Sequence, residues 1–89
     1  MTRAELEEFR RIRIQHYRYG IGSVEDIPAY RAISDEAEAF VRGLDSPAEQ
    51  TVMRMLYLRG MSVVAVVVDT GMSERSVSRL RKKALGRLK

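Results

Sequence analysis

The sequence predicts an all-α fold, a small bundle of about five helices ending in a helix-turn-helix. Apolar residues recur at spacings of three and four through most of the 89 residues, which is the helical period. Serine or threonine begins several of these periodic segments, where it can cap a helix. Glycine separates successive segments. Because 89 residues suffice for one core and not for two, we expect one compact domain.

The first helix is predicted over residues 2–19. Thr2 and Glu5 have the spacing of a capping box, in which each side chain binds the other residue's backbone N–H. One side of this helix is apolar, with Leu6, Phe9, Ile12 and Tyr17 in helical register. A strand over residues 12–19 is the alternative, although no partner strand is evident. The glycines and serine of residues 20–23 then break the helix.

The second helix is predicted to open at Asp26 or Ile27, with Pro28 in its first turn, where proline's missing N–H does no harm. Gly43 ends it. Its apolar residues keep a spacing of three and four, so one face is expected to be buried: Tyr30, Ile33, Ala37, Phe40, Val41 and Leu44.

The third helix is predicted from Ser46 as N-cap and Pro47 as its first residue. Glu49 places a negative charge near the positive end of the helix dipole, which is favourable. Gly60 ends the helix. We expect residues 1–45 to serve packing or partner binding.

The last two helices have the pattern of a helix-turn-helix, in which two short helices flank a turn containing glycine. Ser62 caps a helix that runs to about Thr70, Gly71 supplies the turn, and Ser73 caps a helix that runs to about Leu85. One side of the last helix is predicted to face the core: Val77, Leu80, Ala84 and Leu88. The opposite side is predicted to face solvent: Arg75, Ser78, Arg79 and Lys82.

The charge of the chain is concentrated at its C-terminal end. Residues 1–45 carry seven basic and nine acidic residues, whereas residues 46–89 carry nine basic and three acidic residues. A basic end on an otherwise balanced domain is the electrostatic footprint of a nucleic-acid-binding protein. A solvated basic tail is the alternative that charge alone leaves open.

The last helix is the candidate DNA-binding element. A helix about 10–12 Å across fits a major groove about 12 Å wide. Arg75 and Arg79 lie one turn apart and can each pair with guanine, while Lys82, Lys83 and Arg87 lie further along and are predicted to contact phosphates. The full set of candidate DNA-binding residues is Ser73, Glu74, Arg75, Ser76, Ser78, Arg79, Lys82, Lys83 and Arg87.

Residues 46–88 resemble a known family. The stretch LRGMSVVAVVVDTGMSERSVSRLRKKALGRL resembles the fourth conserved region of bacterial sigma factors, and SPAEQTVMRMLYLRG is similar to the helix before it. The tail SVSRLRKKALGRL is more similar still to small phage-encoded regulators of the ArpU and RinA type. The resemblance implies a phage or prophage transcriptional regulator with Glu74, Arg75, Ser78 and Arg79 facing bases of duplex DNA. A stand-alone sigma factor is not expected, because residues 1–45 leave no room for its other regions.

Val64 and Val68 depart from the family pattern, in which these positions are usually charged or polar. Valine is a weak helix former, so this helix is expected to be stable only if more than one of its sides is covered. The N-terminal helices, a homodimer contact or another protein could cover it. A buried strand is a further alternative. The runner-up function is therefore a protein-interaction module that binds RNA polymerase or another partner; a DNA-packaging recognition subunit is a third reading.

Other chemistry lacks support in the sequence. The chain has no cysteine and one histidine, His16, so we expect no metal site and no cofactor. No serine has a histidine in its local pattern to activate it, and we expect no enzymatic activity. No apolar run approaches the ~20 residues of a membrane span. A cytoplasmic location is expected.

Overall fold

The computed structural model describes residues 1–19 and 28–88, and over these residues the fold is all-α with no strand. A π-helical segment, Arg54–Leu58, continues the third helix without a break. The helices are α1 (Arg3–Tyr19), α2 (Pro28–Arg42), α3 (Pro47–Met53), α4 (Val63–Thr70) and α5 (Glu74–Leu85). The predicted fold class is confirmed, and the strand alternatives for residues 12–19 and for the valine-rich segment are wrong. The predicted break at residues 20–23 and the helix start at Asp26 or Ile27 lie outside the described residues.

Polar caps begin the helices where the sequence predicts them. The backbone N–H of Glu5 donates to Thr2 Oγ1 (3.1 Å), and the N–H of Thr2 donates to Glu5 Oε1 (2.9 Å), which completes the capping box. Ser46, Ser62 and Ser73 each accept a backbone N–H three residues ahead, at 3.1 Å. These four caps fix where α1, α3, α4 and α5 start.

The core lies where α1, α2 and the π segment meet α3 and α5. Phe9 of α1 stacks on Tyr30 of α2, with ring centroids 4.5 Å apart. Apolar side chains from every helix are fully or almost fully buried, among them Leu6, Val41, Val52, Leu56, Val66, Val77 and Ala84. None of the helices in the described residues is long and apolar enough to cross a membrane.

The third helix ends at Gly60 as predicted, but its last turn is π-helical. The N–H of Arg59 donates to Arg54 O across a widened turn (3.0 Å), and Gly60 takes a positive φ of 70°. The guanidinium of Arg10 on α1 donates to Leu56 O (3.0 Å) and to Met61 O (3.3 Å). Arg10 thus satisfies carbonyls that an ordinary helix end leaves to a Schellman turn or to water.

The turn between α4 and α5 is closed by Thr70. Its hydroxyl donates to Val66 O (2.7 Å) and accepts the N–H of Met72 (3.2 Å). Gly71 follows with a φ of 76°, a left-handed conformation that favours glycine. A Cβ there would meet no atom within 4 Å, so the need for glycine is conformational. This turn sets the direction in which α5 leaves α4.

Candidate nucleic-acid interface

Helix α5 is divided into a buried side and an exposed side as the sequence predicts. Val77 and Ala84 are fully buried, and Leu80 and Leu88 are partly buried against the core. The opposite side is exposed along its length, where it carries Arg75, Ser78, Arg79 and Lys82. The core therefore holds α5 by one side and leaves three cations and a hydroxyl on the other.

The N-terminus of α5 is fixed by a pair of serines. Ser73 accepts the N–H of Ser76 (3.1 Å), and its hydroxyl donates to Ser76 Oγ (3.0 Å). Both predicted site residues are therefore tied to each other in the cap. Glu74 is exposed in the first turn, next to the positive end of the helix dipole.

Lys83 and Arg87 are occupied by carboxylates within the fold. Lys83 Nζ lies 3.3 Å from Glu49 Oε1, and Arg87 Nη2 lies 2.5 Å from Asp45 Oδ2 and 3.7 Å from Glu49 Oε2. The hydrogen bond from Arg87 holds the pKa of Asp45 below its ordinary value. The structure therefore places Lys83 of α5 and Arg87, which follows the end of α5, beside Glu49 of α3, and does not group them with Arg75 and Arg79.

Glu49 is a buried carboxylate that the sequence does not reveal as one. It is fully buried, and neither of its oxygens has a hydrogen-bond partner in the described chain. Its charge is balanced by Lys83 of α5, at 3.3 Å, and by Arg87 after the end of α5, at 3.7 Å. The sequence signal, a carboxylate three residues after Ser46, indicates a favourable helix-dipole position and says nothing about burial.

A second polar cluster joins α1, the π segment and α5. The hydroxyl of Tyr57 donates to Glu7 Oε1 (2.5 Å) and accepts from Nε of Arg81 (2.9 Å). Arg81 Nη2 also lies 3.5 Å from Glu7 Oε1. Burial, followed by the hydrogen bond to Glu7, raises the pKa of Tyr57 to about 12. Arg81 therefore fixes the position of α5 against α1, although in the sequence it is simply one of the basic residues near the C-terminus.

The cations that remain unpaired are concentrated on α5. Among the side chains that the structure describes in residues 1–15 and 28–88, most of the Lys and Arg residues bind a carboxylate, a carbonyl or a tyrosine hydroxyl. The exceptions are Arg31 on α2, Arg59 after the π segment, and three residues on the exposed side of α5, Arg75, Arg79 and Lys82. That side of α5 is thus a surface with uncompensated positive charge.

Helix α4 exposes two of its valines. Val64 and Val68, here called the valine pair, are 68% and 79% exposed, whereas Val66 is fully buried. The expectation that the N-terminal helices cover this side is wrong, because α1 and α2 pack against the π segment and α3 instead. A role of the valine pair as a protein interface stays a prediction.

Comparison of the chain with models of known protein families, with curated proteins and with solved structures gave no significant match. In the part of the chain that the structure describes, no group of three or more histidine, aspartate or glutamate side chains could hold a metal ion.

Proposed function

We propose that the protein is a sequence-specific DNA-binding transcriptional regulator that uses α4, the turn and α5 as a helix-turn-helix. The observation that carries the proposal is the exposed side of α5, where Arg75, Arg79 and Lys82 have no partner within the described fold. A helix of 12 residues is about 18 Å long and fits the major groove. Unpaired cations on such a helix suit a polyanion whose bases present acceptors.

The residues of α5 have separate roles in this proposal. Arg75 and Arg79 lie in the first turns of the helix and read bases, with guanine O6 and N7 as the acceptors that a guanidinium binds bidentately. Glu74 and Ser78 are the other base-facing candidates, and Lys82 contacts phosphate. Lys83 and Arg87 are assigned to the fold, since Glu49 and Asp45 bind them. Ser73 and Ser76 are assigned to the helix cap.

Regulation of transcription is favoured by the resemblance of residues 46–88 to the fourth region of sigma factors and to ArpU- and RinA-type regulators. On this proposal the gene belongs to a phage or prophage, and the protein acts in the cytoplasm. RNA polymerase is a further protein partner in this proposal. The exposure of the valine pair supports a protein contact at that place.

Selection of bound sequences from a random duplex pool tests this function. We expect enrichment of one short motif by the wild-type protein, and loss of the preference at one base pair in the Arg79→Ala variant. The matched control is Arg31→Ala, which removes an exposed, unpaired arginine from α2. A palindromic motif would indicate a homodimer on DNA. A wild-type protein that enriches no motif would contradict the proposal.

A protein-interaction module is the second candidate, and the exposed valine pair is the observation that favours it. The two exposed apolar side chains lie one helical turn apart on a helix of eight residues. Adjacent exposed apolar residues are typical of a protein-interaction site. In this case the pair contacts RNA polymerase or another partner, and DNA contact is secondary. Two results together would favour this candidate. Duplex binding would not depend on salt, and the wild type would be retained on RNA polymerase while Val64→Lys would not.

A further inference from the structure

A basic cleft lies between the beginning of α1 and the second half of α5. It has a volume of about 270 Å³ and is lined by Arg3, Ser78, Arg81, Lys82 and Leu85. The lining found among the described residues thus contains three cations and one hydroxyl but no carboxylate. Ser78, Arg81, Lys82 and Leu85 share one flank of α5 because their offsets of three, four and seven residues are those of one helix face. Arg3 alone comes from another helix.

Arg3 is held at the cleft from both of its ends. Arg3 is the first residue of α1, and the capping box of Thr2 and Glu5 fixes its backbone. Its Nη2 donates to Leu85 O in the last turn of α5, at 3.0 Å. A cation there is also favoured by the negative end of the helix dipole. The hydrogen bond to Leu85 uses one of the five N–H donors of the guanidinium, so donors remain for a ligand.

The other two cations of the cleft differ in availability. Arg81 is bound by Tyr57 and lies 3.5 Å from Glu7, which offsets its charge. Lys82 is exposed and has no partner in the described fold. Arg3 and Lys82 therefore supply the uncompensated charge in the cleft that Ser78 also lines. This combination suits one anionic group with several acceptor oxygens.

We propose that this cleft binds one backbone phosphate of the duplex whose bases α5 reads. The inference rests on the proposed function, because Ser78 and Lys82 belong both to the cleft and to the exposed side of α5. A duplex in contact with Arg75 and Arg79 passes this flank, where its phosphodiester oxygens accept from Arg3, Lys82 and Ser78. In this inference Ser78 therefore donates to a phosphate instead of facing a base. The DNA contact surface thereby extends to α1, and residues 1–45 gain a direct part in binding.

The salt dependence of duplex binding tests this phosphate contact. Arg3→Ala, Arg3→Lys and the wild type are titrated with the selected duplex and with a scrambled duplex at several salt concentrations, with Arg31→Ala as control. We expect Arg3→Ala to weaken both duplexes by the same factor and to lower the slope of log K against log salt by about 0.9. Arg3→Lys keeps the charge and is expected to keep the slope. Thermal unfolding of each variant verifies that the fold is intact.

Four outcomes would contradict the assignment of the cleft to a backbone phosphate. If Arg3→Ala matches Arg31→Ala while the wild type binds, α5 binds DNA without the cleft, and only this inference fails. If Arg3→Ala weakens the selected duplex alone, Arg3 acts in base readout and not on a phosphate. The cleft could instead bind free inorganic phosphate. This is tested by adding phosphate to the protein and following the amide signals of Ser78 and Lys82. Saturation by free phosphate with an unchanged duplex slope would make the cleft a small-anion site. If the wild type binds no duplex, the proposed function fails together with the cleft.

Discussion

The fully buried carboxylate of Glu49 on α3 lies 3.3 Å from the ammonium of Lys83 on α5. A buried charge is costly unless it is compensated, and here one compensating cation comes from the basic segment that the sequence analysis assigns to DNA. The relationship separates the basic residues of α5 into two groups, those that hold the helix in place and those that are free to bind. Substituting a residue of the first group should lower the stability, whereas substituting a residue of the second group should weaken binding.

Lys83→Ala should therefore destabilise the protein and leave its salt dependence in DNA binding unchanged. The variant leaves Glu49 with Arg87 alone, at 3.7 Å. We expect a loss of about 1–3 kcal/mol in the free energy of unfolding, since the buried carboxylate loses one of its two compensating cations. Urea denaturation measures the loss, and a titration at several salt concentrations measures the slope. If Lys83→Ala lowers the slope of log K against log salt by about one and leaves the free energy of unfolding unchanged, Lys83 contacts a phosphate.

Tyr57→Phe should loosen the connection between α1 and α5. The variant keeps the ring in the core and removes the hydroxyl that binds Glu7 and Arg81. We expect the free energy of unfolding to fall by about 1–3 kcal/mol. The control is Tyr30→Phe, which removes another core hydroxyl, one bound by Arg13 on α1. Equal stability of Tyr57→Phe and the wild type would show that the hydrogen bonds of Tyr57 to Glu7 and Arg81 do not contribute to the free energy of unfolding.

The same hydroxyl predicts a pH dependence at the alkaline end. The pKa of Tyr57 is raised from 10.0 to about 12 in the folded protein, chiefly by burial. The folded state therefore holds the phenol proton more tightly than the unfolded state. Its contribution is complete below pH 10.0 and is lost as the pH rises towards about 12. The stability of the wild type should fall more steeply over this range than that of Tyr57→Phe, and parallel curves would contradict the prediction.

The valine pair should be dispensable for folding. Val64 and Val68 are 68% and 79% exposed, so Val64→Lys is expected to change the free energy of unfolding by less than about 0.5 kcal/mol. If the pair is a dimer contact, sedimentation of the wild type shows association at high concentration, and Val64→Lys abolishes it. Val66→Lys is the matched contrast, since Val66 is fully buried and the substitution should unfold the domain. If Val64→Lys matches the wild type in stability, sedimentation and partner binding, the valine pair is not an interface.

Ser73→Ala tests the start of α5. The hydroxyl of Ser73 accepts the N–H of Ser76 and is the only polar cap at this helix end in the described chain. Its removal should cost about 1 kcal/mol of unfolding free energy, as N-cap substitutions do. Because a frayed first turn also displaces Arg75, DNA affinity should fall in parallel. An unchanged unfolding midpoint would mean that the cap does not stabilise the helix.

Local patterns account for what the sequence predicts of the fold. The caps at Thr2, Ser46, Ser62 and Ser73 depend on contacts within three residues, and each is present. The exposed and buried sides of α5 follow from its period alone. The widened turn at Arg54–Leu58 could not be predicted in this way, because one of its carbonyls, Leu56 O, is bound by Arg10 of α1, 46 residues earlier.

Long-range pairing accounts for what the sequence missed in the candidate site. Nothing in the order of residues shows that Lys83 and Arg87 meet Glu49 and Asp45, which precede them by more than 30 positions. Nor does it show that Arg81 meets Tyr57, or that Arg3 reaches Leu85 O across 82 positions. A basic run therefore predicts the sign of the surface charge, while the tertiary structure decides which of its members remain free.

A binding titration of Arg79→Ala and Lys83→Ala side by side tests whether the exposed side of α5 reads duplex DNA. Both variants and the wild type are measured on the selected and the scrambled duplex across a salt series. We predict that Arg79→Ala binds the selected duplex about 1–3 kcal/mol more weakly and unfolds like the wild type. Lys83→Ala should bind with the wild-type slope and unfold more easily. A wild-type protein without salt-dependent duplex binding, or an Arg79→Ala variant with undiminished affinity and preference, would contradict the account.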